Sequence, residues 1–87
     1  MHESGMMKGL MRQIDAAVEQ QGGTRVVAVK VSIGIVTQMS ADHFRGHFEE
    51  AAAGTMAEGA TLRVDIIEDL ANERALDVFL ESVEVEG

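Results

Sequence analysis

The 87-residue sequence contains no cysteine, no proline and no tryptophan, and sets only 7 Lys+Arg against 15 Asp+Glu. Without cysteine there is no disulfide scaffold, no Cys-ligated zinc ribbon and no thiol nucleophile. Nothing argues for secretion, so a reducing cytoplasm is the expected location. The formal charge of −8 opposes the counterion release that supplies most nucleic-acid affinity, and no Lys/Arg run offsets it locally, which excludes DNA and RNA as expected partners. Long apolar runs are also missing: no stretch reaches the roughly 18 to 20 residues of a membrane span. The N-terminus opens Met1-His2-Glu3 rather than with a basic segment and an apolar run, so neither a leader nor an anchor is expected.

A chain of this length predicts one domain with a thin core, because a domain this small buries only about 60 to 65% of its unfolded surface. The acidic excess is uneven. Residues 1–47 hold five basic and four acidic residues, whereas residues 48–87 hold two and eleven, making the second half the expected face for a basic partner.

The apolar positions Met6, Met7, Leu10, Met11, Ile14, Ala17 and Val18 recur at helical spacing, which predicts an amphipathic helix with Ser4 as N-cap and Gly22-Gly23 closing it. From Arg25 to Val36, Val27, Val29, Val31 and Ile33 alternate with Ala28, Lys30 and Ser32, the period of a half-buried strand. Ser40 then precedes a second helix whose Phe44, Phe48, Ala51 and Ala52 share a face and which ends at Gly54; Gly46 inside it weakens the helix and suggests close packing. Leu62, Val64 and Ile66 mark a second strand within Ala60 to Glu68, and the polar segment Asp69 to Arg74 suits a turn.

A third strand is expected from about Ala75 to Glu86, where Leu76, Val78 and Leu80 lie on one parity and Val83 and Val85 on the other. A bulge near Glu81-Ser82 would bring all five to one face. The order α-β-α-β-β gives an α/β fold, a two-layer α+β domain with two helices on one face of a three-stranded sheet. A crossover through the second helix makes the first two strands parallel if adjacent, and a tight connection makes the last two antiparallel.

The N-terminus is the most informative candidate site. The α-amine of Met1, the amide nitrogen of His2 and the Nδ1 of its imidazole can converge on one metal, closing a five-membered and a six-membered chelate ring, and Glu3 adds a further amide nitrogen and a carboxylate. Ni(II) and Cu(II) favour tetragonal nitrogen sites of this kind. An α-amine titrates near about 7.7 to 8 and must lose its proton to bind, so affinity should rise through neutral pH. The plain alternative is a frayed terminus with no role. His43 and His47 stand at i, i+4 on the second helix, a spacing that can put two imidazoles on one metal, with Glu50 the helical candidate for a third ligand; solvated surface histidines are the competing reading. Met6, Met7 and Met11 read as core filler rather than a thioether site. No nucleophile arrangement or phosphate loop is present, so no enzyme activity is expected.

Four segments, in this order, resemble the HypA/HybF family of hydrogenase nickel-incorporation proteins: Met1-His2-Glu3 followed directly by an amphipathic helix; Val29-Lys30-Val31-Ser32-Ile33-Gly34; Gly54-Thr55-Met56-Ala57-Glu58-Gly59-Ala60; and Ser82-Val83-Glu84-Val85-Glu86. The resemblance implies a cytoplasmic metallochaperone that holds Ni(II) at Met1, His2 and Glu3 and passes it by ligand exchange, with a partner GTPase, to the large-subunit precursor of [NiFe]-hydrogenase. A homodimer is compatible with it.

Two departures follow. Family members carry a small domain between the last two strands in which two C-x-x-C pairs hold zinc, and here Asp69 to Arg74 stand in its place, so residues 1–87 are expected to form one nickel-binding-type domain with no zinc. The family's acidic residue near the start of the second helix corresponds to Ser40, with Asp42 two positions on as the remaining candidate. The alternative function is a metal-free scaffold of hydrogenase assembly that keeps the fold only.

Overall fold

The computed structural model describes the backbone from His2 to Gly87 and the side chains from Gly5 onward. Helix α1 spans His2–Gln21, strand β1 Arg25–Gly34, helix α2 Ala41–Ala52, strand β2 Thr61–Ile67 and strand β3 Val78–Glu86, with single 3-10 turns at Ile35–Thr37 and Glu73–Leu76. The sheet order is β2-β1-β3, β1 running parallel to β2 and antiparallel to β3. This is the expected two-layer α+β fold. One core cluster draws on α1, α2 and the inward residues of β1 and β2, so both helices cover the same sheet face.

In α1, Met7, Leu10, Ile14 and Val18 are buried and Met6 and Met11 pack against them, which is the stripe the spacing predicts. The helix begins at His2, so Ser4 lies in its first turn and is not its cap. His2, Glu3 and Ser4 are polar, and a helical turn with no apolar residue carries no periodicity to detect. At the other end Gly22 adopts φ 69°, its N–H donating to the Glu19 carbonyl at 3.2 Å while that of Gly23 donates to Val18 at 3.0 Å. Those two bonds form a Schellman closure, which satisfies carbonyls the helix would otherwise leave open.

Helix α2 is capped as expected: the Ser40 hydroxyl accepts from the His43 N–H at 3.0 Å. Phe44, Phe48 and Ala52 are buried, and Ala51 packs at their margin. Gly46 is exposed, and a Cβ placed there meets nothing within 4 Å, so the expected close packing does not exist. The loop after α2 is held to the sheet. Thr55 Oγ1 donates to the Ala52 carbonyl at 2.7 Å and accepts from the Ala57 N–H at 3.0 Å, Ala57 is buried, and the Met56 carbonyl accepts from the Val26 N–H at 3.0 Å.

Two bulges set which side chains face the helices. The β1/β3 register shifts between Lys30 and Val31, leaving Glu81 as the extra residue of β3, close to where the parity change placed it. Val78, Leu80, Val83 and Val85 all pack against the core as a result. Leu76 does not join them: it lies in the 3-10 turn and is 67% exposed. A second shift between Val26 and Ala28 makes Val27 the extra residue of β1. Val26 is therefore the buried partner of Val29, Val31 and Ile33, whereas Val27, expected on that face, is turned outward. On β2, Leu62 is buried and Val64 partly so, but Ile66 is 38% exposed, since the strand runs out from beneath the helices.

Because β3 pairs with β1, the last two strands are antiparallel in direction without being neighbours. The connection over residues 68–77 must therefore cross the end of β1, a span of two inter-strand spacings or about 9.5 Å. It does so at Gly34. The Gly34 N–H donates to the Asp77 carbonyl at 2.8 Å, and a Cβ at Gly34 would overlap the Ala75 carbonyl group, Ala75 itself being fully buried. On the sheet face away from the helices, Ser32, the buried polar side chain among the described residues, donates to Glu81 Oε2 at 2.6 Å. Arg74 pairs with the same carboxylate, and its guanidinium lies 5.3 Å from the centre of the Phe79 ring.

Two glycines separate packing from propensity. Gly46→Ala should stabilise the protein by about 1 kcal/mol, and Gly34→Ala should cost about 2 kcal/mol or more through overpacking, both read from urea midpoints. The bonds from Arg74 and then Ser32 hold the Glu81 carboxyl below the usual carboxylate range. Its contribution to stability is therefore complete above the ordinary glutamate pKa and disappears as pH falls through the lowered value. Urea midpoints for wild type and Glu81→Gln should differ at pH 7, and the difference should shrink as pH falls below the ordinary glutamate range; a difference that does not change with pH would show that the carboxylate's charge contributes nothing.

Candidate functional site

Two places carry metal-ligating residues. The first is the amino terminus. Met1 lies outside the described residues, as do the side chains of His2, Glu3 and Ser4, so the three-residue candidate is described only by its backbone from His2 onward. That backbone opens α1. The first four N–H groups of a helix have no intrahelical acceptor, so the amides of His2 and Glu3 are not spent in the helical ladder.

The second place is the outer surface of α2. The helical rise puts His43 and His47 one turn apart, and the buried Phe44 and Phe48 that follow each of them fix the roll of the helix and hold both imidazoles toward its margin. His43 is exposed and His47 partly so. Their Nε2 atoms are 3.2 Å apart, and the rings meet edge to face at 73° with centroids 4.6 Å apart. A shallow depression lined by Thr37, Gln38, Met39, Ser40 and His43 opens beside them. Gln38, one of its lining residues, stands at φ 61°, a left-handed position that ends the 3-10 turn after β1.

The two remaining candidates do not complete a ligand set. Asp42 is exposed in the first turn of α2, where a carboxylate favours the helix N-terminus, and Glu50 is exposed near the other end. Among the described residues no group of three or more His, Asp or Glu is arranged to hold a metal ion. Sequence spacing thus found the His43/His47 pair. The depression beside it left no trace in the sequence, because Gln38 holds a left-handed conformation that glycine or asparagine would have advertised.

Comparison with known proteins bears on the terminus and the fold. The family model described as "Hydrogenase/urease nickel incorporation, metallochaperone, hypA" matches residues 1–72. The hydrogenase maturation factor HypA of Rhizobium leguminosarum bv. viciae is 30% identical over 67 residues, covering 77% of this chain and 59% of the relative. Those of Desulfitobacterium hafniense and Chlorobium limicola are each 33% identical over 67 residues, covering 77% of this chain and 59% and 58% of the relative. The chain thus spans a little under three fifths of the length of these relatives. The family match ends at Asn72, before β3, so the likeness of Ser82–Glu86 stands on those five residues alone. No helix among the described residues is long and apolar enough to cross a membrane. With a match that takes in the amino terminus, both helices, β1 and β2, the chain belongs to the HypA family of hydrogenase/urease nickel-incorporation metallochaperones.

Proposed function

We propose that the chain holds Ni(II) at Met1, His2 and Glu3 and passes it on by ligand exchange during maturation of a [NiFe]-hydrogenase. The observation that carries this reading is a family match that begins at residue 1 and so includes the terminal Met-His-Glu. The chemistry supports it. The Met1 amine, the His2 amide and the His2 imidazole supply adjoining chelate rings of the tetragonal kind that suits Ni(II), and the helix start at His2 leaves the first amides without intrahelical acceptors. A terminal segment can release one bond at a time, and an incoming ligand can replace each bond as it breaks, so transfer never requires a bare ion.

On this reading nickel is cargo, the protein performs no catalysis, and the natural partners are the large-subunit precursor and the GTPase of the maturation system, in the cytoplasm. Residues 1–87 then act as one nickel-binding-type domain, the short connection around 69–74 standing where relatives carry the zinc domain. The absence of cysteine favours a second reading, a scaffold that keeps the fold and binds the precursor without metal.

The terminal site of untagged protein starting at Met1 should take up about one Ni(II) in a calorimetric titration, with affinity rising between pH 6 and 8 as the amine gives up its proton. His2→Ala should weaken that binding by at least about tenfold. Unchanged affinity in His2→Ala would overturn the terminal site. Capture of the large subunit that survives His2→Ala undiminished would favour the scaffold.

A further inference from the structure

The sequence around Val64 on β2 is self-complementary. Arg63 and Asp65, of opposite charge, flank it on either side, and the apolar Leu62 and Ile66 stand one position further out. Strand β2 is also an open edge of the sheet. We infer that two copies of this chain join along that edge, β2 against β2 and antiparallel about a two-fold axis at Val64, to make one continuous sheet.

The backbone of the edge is turned the right way. The Gly34 N–H points to the β3 side of β1, where it donates to the Asp77 carbonyl just before that strand. Directions alternate along a strand, so Ile33 turns its N–H and C=O toward β2. Its register partner is Ile66, and in a parallel ladder a residue bonds to the neighbours of its partner, here Asp65 and Ile67. Leu62, Val64 and Ile66 therefore present their N–H and C=O groups outward. The Leu62 carbonyl shows it, since it accepts from Arg45 Nη1 at 3.0 Å. A carbonyl has two lone pairs, so that bond can coexist with a ladder bond.

The side chains then match. With Val64 facing Val64 of the second copy, and Leu62 facing Ile66, those positions form the hydrogen-bonded pairs. Arg63 and Asp65 fall in the non-hydrogen-bonded pairs between them, where side chains approach most closely, and Arg63 of each copy lies opposite Asp65 of the other. Asp65 already has Lys30 at 3.5 Å, so its carboxylate gains a second cation, while no ion pair to Arg63 occurs among the described residues. On the helix face the seam covers half-buried Val64 and Ile66, which is 38% exposed. Charges on an edge ordinarily oppose pairing. Here they oppose every register but one, because a slipped pairing sets Arg63 against Arg63 or Asp65 against Asp65. The other edge has no such match: β3 carries Glu81, Glu84 and Glu86 and no basic residue.

The test uses metal-free protein with a chelator present, so its outcome does not depend on the terminal nickel site. Sedimentation velocity at rising concentration should show a reversible monomer–dimer equilibrium that weakens with added salt. Arg63→Asp and Asp65→Arg should each weaken the dimer by at least about tenfold, since like charges then face each other twice across the seam. The double variant Arg63→Asp/Asp65→Arg re-forms both pairs and should recover the wild-type dimer. It also keeps a carboxylate beside Lys30, whose register partner is position 63. Circular dichroism of all three variants should be unchanged, because both positions are exposed. Wild type that stays monomeric at every concentration, a dimer indifferent to either single substitution, or a double variant no better than the singles would overturn the seam. Association that continues past the dimer would overturn the two-fold arrangement, since β2 would then be meeting a different edge.

Discussion

A central strand with both edges hydrogen-bonded and one face under two helices leaves the chain a single way to carry β2 around to β3, across the end of β1. Gly34 is where that crossing occurs. The Ala75 carbonyl occupies the space a side chain would need, and the Asp77 carbonyl takes the Gly34 N–H. From this contact follow the position of the Glu73–Leu76 turn, the burial of Ala75 and the placement of Arg74 above Phe79, where it reaches the Glu81 carboxylate. Ser32 completes the arrangement from β1, so a buried hydroxyl, a bulged glutamate and a loop arginine close the end of the sheet together. A single close approach of backbone to backbone thus fixes the route of the last quarter of the chain.

Legibility divides along physical lines. Apolar periodicity marked every helix and strand, because each has one face in the core and one in water. The Glu81 bulge was readable for the same reason: Leu80 and Val83 fall on opposite parities, yet both must face inward. The Val27 bulge was not readable, since Val26 and Val27 are identical side chains and only the pairing with β3 decides which one is turned in. The place of Leu76 is not legible, because an apolar residue next to a strand looks like part of it and nothing local says that the chain is still crossing β1. The first turn of α1 was missed for the converse reason, its residues being polar on every side.

The candidate sites show a similar division. The i, i+4 spacing of His43 and His47 is a statement about a helix, and once the helix is given, their place as neighbours on one face follows. The proposed terminal chelate has no such geometry to inherit. The ligands proposed for it are mostly backbone, which any sequence possesses, and the informative residue is one histidine at position 2. Of the segments that resemble the family, two are occupied with holding the fold. Ser32 and Gly34 of the second fix the crossing, and Thr55, Met56 and Ala57 of the third fasten the loop after α2 to Val26. Resemblance in those segments argues that the architecture is kept, and Met1-His2-Glu3 alone bears on the proposed cargo.

The uneven charge acquires a different meaning once the sheet order is known. Beyond the end of α2 and the loop after it, residues 48–87 supply β2, β3 and the crossing connection, which are the two edges of the sheet and the loop that joins them. An edge strand presents unpaired backbone groups and is prone to pair with another chain, and charged side chains along it oppose that. Glu84 and Glu86 lie on β3, Arg63 and Asp65 on β2, and Glu68, Asp69, Glu73 and Asp77 on or beside the connection, all of them exposed. Residues 1–47 contribute the fully paired strand and both core-covering helices up to the middle of α2, where there is no open edge to protect. Most of the acidic excess therefore lies along two exposed sheet edges and the connection between them, with Glu49, Glu50 and Glu58 on the end of α2 and the loop after it.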